Sequence, residues 1–295
     1  MIISFSECVI LFTVFITECV AIVTVNLLSI ILFIKNKSLR TRSMYLVMSL
    51  TVADLLVGSL SGSVDSFYSQ NHLCPFVKFY SLSLEGSIAF IFLILFFPLV
   101  SLTNMTVISL ERFHATFRPF RHRLIKRWVY LATIAVVWVV PIITSVIVGI
   151  ELFLMKHHLY LWESLRCLCL FVTFVSYTSI LFKFRFGAHP QRHCAAALRQ
   201  RKLTVTLFIT TLLSLLLWLP FTIFLFVGLS DADIFNSLST RELFRLLCLL
   251  NFLHYANSLV NPILYTVRMP DFKKALLSLF RRHQRENVAI PLTRY

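Results

Sequence analysis

Residues 90–120 read FIFLILFFPLVSLTNMTVISLERFHATFRPF, and the change of character along this stretch decides the fold. No charged side chain occurs from Phe90 to Leu110. Glu111 and Arg112 then stand side by side, and the chain turns basic through Arg118, Arg121 and Arg123. About 20 apolar residues are enough for a helix to cross the hydrocarbon of a bilayer. Taken with its flanks this run covers 79–113. Outward from it lie six more, at 5–34, 43–67, 128–150, 164–186, 203–229 and 241–267. The runs are continuous rather than alternating, which excludes a barrel. The pattern predicts an all-α membrane protein built as a seven-transmembrane helix bundle.

Composition points the same way. The chain has 295 residues, 58% of them hydrophobic and only 14% charged, with a mean hydropathy of +0.82. A soluble domain carries about 25% charged residues, so the expected solvent and partner is the lipid bilayer. The net charge of +15 could suggest nucleic acid, but the charges fall between apolar runs and form no basic face interleaved with exposed aromatics. No nucleic-acid partner is expected. Seven cysteines form neither a zinc nor a redox pattern, and Cys167-x-Cys169 lacks the C-x-x-C spacing. The first run is too long for the apolar core of a cleavable signal and reads as a true span.

The basic residues also orient the chain. Of the 28 Lys and Arg, 23 fall in the first, third and fifth gaps and the C-terminal segment. The positive-inside rule then places the N-terminus outside and the C-terminus in the cytoplasm. MPDFKKALLSLFRR, residues 269–282, has Phe272, Ala275, Leu276, Leu279 and Phe280 at helical spacing on a basic background. It predicts a short amphipathic eighth helix at the interface. Residues 1–282 form one membrane domain and 283–295 a short cytoplasmic tail.

Polar side chains inside the spans are the candidates for function. Asp54 sits mid-span among Leu and Val, and two readings stay open: a neutral Asp bonded between helices, or a functional carboxyl. Asn26, Ser101, Asn257 and Asn261 lie at similar depth, and one interior network would satisfy all of them. Pro220, beside Trp218, and Pro262, within Asn261-Pro-Ile-Leu-Tyr265, each free a helix carbonyl.

In this order the motifs resemble a rhodopsin-like (class A) G-protein-coupled receptor along essentially the whole chain. Asn26 matches the family's helix-one Asn, Leu50-Thr-Val-Ala-Asp54 its LxxxD, and Trp138 its helix-four Trp. Glu111-Arg112-Phe113 resembles the D/E-R-Y motif, with Pro119 and Phe120 following in the second cytoplasmic loop. Tyr177 resembles the helix-five Tyr, Leu217-Trp218-Leu219-Pro220 the CWxP motif, and Asn261 to Tyr265 an NPxxY. The resemblance implies a plasma-membrane receptor, not an enzyme. It would convert binding of an extracellular small molecule or short peptide into heterotrimeric G-protein activation.

By the same resemblance Glu111 pairs with Arg112 at rest, and agonist rearranges helix six around Trp218 and Pro220. Tyr177 and Tyr265 then help hold an open state. Arg112, Pro119 and Phe120 are the implied G-protein contacts. Asp54, Ser101, Asn257 and Asn261 match the family's sodium pocket, so allosteric Na⁺ at Asp54 is implied and no other cofactor.

Some positions depart from the family. Ser87 stands where the helix-three Cys belongs, twenty-five residues before Arg112. The usual disulfide to the second outer loop is therefore not expected. Cys74, Cys167 and Cys169 are left as candidates for a different outer bridge. Cys169 replaces the helix-five Pro and Ser214 the Phe four residues before Trp218. Losing both the Cys and the Pro is similar to the melanocortin, lysophospholipid, cannabinoid and adenosine branch. Pro98 is expected to kink the third span. Gln200 stands about where an acid of helix six often clasps the motif Arg.

Ile94 occupies the place of the amine-pairing Asp, which argues against a classical amine, and Tyr255 that of the retinal Lys. Candidate pocket residues are Asp65, Ile94, Trp218, His254 and Tyr255. Asp65 lies eleven residues, three turns, outward of Asp54 on nearly the same face. Glu18 and Glu85 are read as meeting interfacial water. The competing readings are an ion-coupled transporter or channel with Asp54 on its path, and a ligand-independent, constitutively active receptor homologue.

Overall fold

A computed structural model of the chain describes residues 4–36, 42–66, 84–153, 160–186, 195–230, 238–268 and 272–278. Several side chains near helix ends, including those of Gln200 and Tyr265, lie outside the described residues. Seven long helices follow in chain order: α1 (Phe5–Lys35), α2 (Met44–Ser66), α3 (Leu84–Phe117), α4 (Arg127–Phe153), α5 (Tyr160–Phe186), α6 (Ala195–Ser230) and α7 (Thr240–Arg268). Residues 272–278 form α8. Among the described residues there is no strand. Lipid offers a backbone no hydrogen bonds, so each apolar run satisfies its own peptide groups as a helix.

All but α6 are long and apolar enough to span a membrane over their described residues; α6 contributes a shorter apolar stretch, Leu212–Gly228. Phe171 and Phe182 leave 64% and 65% of their surface uncovered. That would be a fault in water but is a solvated surface in hydrocarbon. The chain is a multi-pass membrane protein with an all-α, seven-helix architecture.

The ends of the helices are set locally. Ser4 Oγ accepts the Glu7 N–H at 3.4 Å and caps α1. Ser239 and Glu242 form a reciprocal capping box on α7, with the Ser239 N–H donating to Glu242 at 2.9 Å and the Glu242 N–H donating to Ser239 Oγ at 3.3 Å. Glu7 then joins these two helix starts, accepting from Arg241 at 2.6 Å and Arg245 at 2.5 Å.

The third helix is the hub, touching α2, α4, α5 and α6, while α7 packs between α1 and α6. It also runs further than its apolar run predicts. Glu111 and Arg112 do not end it; they sit more than a turn inside, because the helix continues to Phe117. Ala115 is buried and Phe113 stacks on Phe117 at 4.4 Å. Lys183 Nζ donates to the Thr116 carbonyl at 2.6 Å, closing the C-terminus with the charge its dipole favours. The helix passes through Pro98 without a break.

Within α2 the segment Val57–Gly62 is wound as a π-helix, which the sequence pattern did not predict. Its two glycines lie against α1. A Cβ on Gly58 would stand 2.6 Å from Ile22 Cγ2, and one on Gly62 2.9 Å from Cys19 Sγ. At the other end α8 buries Phe272 and Ala275 and exposes Lys273 and Lys274, with the Phe272 ring 5.6 Å from Phe33. Leu279 and Phe280 lie outside the described residues.

Two expectations are corrected. Cys167 and Cys169 are free thiols, so neither makes an outer bridge. Cys8 is disulfide-bonded, to a partner outside the described residues, as Cys74 also is outside them. Glu18 does not meet interfacial water: it is 6% exposed, facing the bundle from α1, whereas Glu85 is exposed. Spacing along a helix fixes depth; rotation about its axis, which decided Glu18, is set by packing.

Candidate functional site

Among the described residues, three largely buried polar clusters lie along the bundle. The middle one is built on Asp54, which is fully buried. Its Oδ1 accepts from Ser101 Oγ at 2.6 Å and Ser258 Oγ at 2.9 Å, and its Oδ2 accepts from Asn261 Nδ2 at 2.8 Å. Asn26 joins through the Ser258 carbonyl at 3.0 Å. Helices α1, α2, α3 and α7 therefore meet at one carboxyl. Asn257 is not among its hydrogen-bond partners; its amide is aimed at Met105 Sδ, 3.8 Å away. Ser258 was missed by the sequence reading, though its three-residue spacing from Asn261 places both on one helix face. The Oδ1 atoms of Asn257 and Asn261 are buried and accept no hydrogen bond. The cluster thus has a carboxyl group, two hydroxyls and spare oxygens, and among the described residues no basic side chain is bonded to Asp54.

The second cluster surrounds Glu111, which is 8% exposed at its side chain. Arg112 Nε lies 2.9 Å from Oε2 and His122 Nε2 lies 3.3 Å from Oε1. Ser43 Oγ donates to Oε1 at 2.6 Å and the Tyr130 hydroxyl donates at 3.4 Å. The Arg112 contact has the distance of an ion pair without the alignment of a hydrogen bond. The acid therefore holds its neighbour and also ties α3 to α2, to α4 and to the loop helix Pro119–Arg123 that carries His122. Pro119 starts that short helix at its favoured first position. Phe120, beside it, is 81% exposed. Tyr177 is buried in the adjoining apolar cluster against which Phe113 packs. The Tyr265 side chain lies outside the described residues. Ser43, His122 and Tyr130 carried no spacing signal, because each comes from a different segment.

The third cluster lies on the other side of the Asp54 layer. Trp218 is buried and meets the His254 ring edge-on at 4.2 Å. His254 is also 5.0 Å from Phe221 and 5.3 Å from Tyr255. The Tyr255 hydroxyl donates to Asp65 Oδ2 at 3.2 Å. Four of the five pocket candidates thus form one connected line, while Ile94 packs with the apolar cluster around Leu95, Leu99 and Trp162. Sequence reading missed two further members. Arg166 has no exposed surface and Glu163 is 3% exposed, yet both sit in α5. An ionisable pair three residues apart in an apolar run was the available signal.

Residues 25–158 and 155–265 match the model of the family described as 7 transmembrane receptor (rhodopsin family). The chain is similar to the Histamine H2 receptor of Canis lupus familiaris, 29% identical over 83% of this chain and 72% of that protein. The Homo sapiens Histamine H2 receptor is 27% identical over the same shares. The Substance-K receptor of Mesocricetus auratus is 23% identical over 88% of this chain and 72% of its own length.

Proposed function

Because this chain belongs to the rhodopsin family of seven-transmembrane receptors, we propose that it is a plasma-membrane receptor whose ligand-bound state activates a heterotrimeric G protein. The N-terminus faces outside and the C-terminus the cytoplasm, as the charge bias favours. The ligand is a small molecule or short peptide, and it acts on the Trp218 end of the bundle. The observation that carries the reading is the Glu111 cluster. A single acid there holds Arg112, the α2 end and the loop helix in one arrangement. A restraint of that kind can serve as a latch.

In this reading agonist prefers a state in which α6 has shifted around Trp218 and Pro220. Arg112 then leaves Glu111, and Tyr177 and Tyr265 support the opened end. The G-protein α-subunit enters there as a helix in a groove, touching Arg112, Pro119 and Phe120. Apolar Ile94 favours a ligand other than a classical amine. Na⁺ would be held by Asp54 with the hydroxyls of Ser101 and Ser258, favouring the resting state; the unpartnered Asn257 and Asn261 oxygens support this fit.

The test is nucleotide exchange in membranes against a panel of chimeric Gα subunits, with basal activity recorded. Exchange on at least one chimera, lost in Arg112→Ala, is expected. Exchange indifferent to that substitution, or absent from every chimera even in Glu111→Gln, would overturn the reading. Ion flux that survives Arg112→Ala would favour the transporter.

A further inference from the structure

Glu163 and Arg166 form an ion pair, 3.1 Å from Nη2 to Oε2, inside the third cluster. The two charges compensate each other without an aligned hydrogen bond. All three Arg166 nitrogens and both Glu163 oxygens are buried without a hydrogen bond in line. The guanidinium is instead walled by rings: it stands 4.4 Å from the centroid of Trp162, 5.2 Å from Phe221 and 5.7 Å from Trp218. Next to them His254 Nδ1 is also buried without a partner. A protein that wanted only packing here would do better with apolar side chains, since a buried pair rarely repays its desolvation. Unused donors and acceptors in an enclosed aromatic site point to a ligand that supplies their complements.

The complement is specific. A lone carboxylate on Arg166 would draw it from Glu163 and strand a buried negative charge. A lone ammonium on Glu163 would do the reverse. A ligand bearing both charges on neighbouring atoms can satisfy both residues at once, closing a ring of four alternating charges. Arg166 can present two parallel N–H groups to a carboxylate. The aromatic walls then suit an apolar side chain.

We propose that the ligand is a free α-amino acid or a close analogue, its carboxylate received by Arg166 and its ammonium by Glu163, directly against Trp218. This rests on the receptor reading above and gives its ligand a chemical class. The placement also supplies a coupling: a ligand that reorganises the pair moves groups in contact with Trp218, the side chain about which α6 is expected to turn.

The experiment uses the full chain purified in lipid nanodiscs and follows thermal unfolding. The probes are the L-amino acids with uncharged side chains at about 10 mM, each beside its decarboxylated amine and its deaminated acid; for tryptophan these are tryptamine and indole-3-propionate. At least one amino acid should raise the Tm by about 3 °C or more, with its singly charged analogues well behind. Arg166→Lys keeps the charge but loses the fork, and should weaken that response about tenfold. The double variant Glu163→Met with Arg166→Met exchanges the pair for apolar volume, so it should fold at least as well and respond to none of the probes. Three results would overturn the proposal: no amino acid shifts the wild-type Tm, an amine or an acid alone shifts it equally, or the double variant still responds. None of them touches the receptor reading, which stands or falls on Arg112-dependent exchange measured without ligand.

Discussion

Glu111 is an acid on the basic side of the chain, and its four neighbours explain why it is there. Ser43 and Tyr130 donate hydrogen bonds to it, and Arg112 and His122 stand within ion-pair distance of it. Glu111→Gln keeps the shape and removes the charge, so basal exchange should rise about fivefold or more, the effect of losing about 1 kcal/mol of restraint. An unchanged basal rate would show that the cluster is only structural. Asp54→Asn keeps two acceptor-donor contacts but no charge. It should abolish any dependence of basal exchange and of Tm on Na⁺, read by exchanging NaCl for choline chloride at constant ionic strength. Asp54, Ser101 and Asn261 were legible in sequence because polar groups in hydrocarbon need one another. Ser258 was less legible, since a helical serine has its own backbone as an alternative partner. Arg166 was hidden by its neighbourhood: near a span end a basic residue reads as a snorkelling one, and only packing showed it fully enclosed.

Helices were predicted well where they are apolar and poorly where a side chain from elsewhere finishes them. The last turn of α3 exists because Lys183 caps it from α5, a contact no local pattern announces. The π-helical stretch of α2 is similar. Gly58 and Gly62 let α1 approach so closely that no side chain fits between. Gly58→Val should therefore lower stability by about 1–3 kcal/mol, measured as a fall in Tm, through overpacking against Ile22. Gly149 has open space around its missing Cβ, so Gly149→Ala serves as the control and should not fall with it. The loop helix makes the opposite prediction. Phe120 is 81% exposed, so Phe120→Ala should leave the Tm unchanged and reduce exchange about tenfold, the usual scale for losing an aromatic anchor. Equal exchange in the two proteins would remove Phe120 from the G-protein contact.

At the scale of the molecule, α3 joins everything: Ser101 reaches the Asp54 layer, Glu111 the far cluster, and Leu102 packs with Trp218. Coupling between ends then needs only that the bundle has two arrangements which each site biases. It must also be reciprocal. If Na⁺ weakens G-protein binding, bound G protein must weaken Na⁺ binding by the same factor. A titration of Na⁺-dependent Tm with and without G protein should show the midpoint moving to higher Na⁺ in its presence; an unmoved midpoint would separate the two sites.

By itself the sequence determined the number of spans, their order and the mid-span acid, because transfer of apolar and charged groups into lipid is a local property of each segment. Only the tertiary structure decided which face of each helix turns inward. That choice put Glu18 inside, left Cys167 and Cys169 unbridged, turned Asn257 from Asp54, and enclosed Glu163 and Arg166 beside Trp218. Rotation about a helix axis is settled by the neighbours it packs against, and those come from distant parts of the chain.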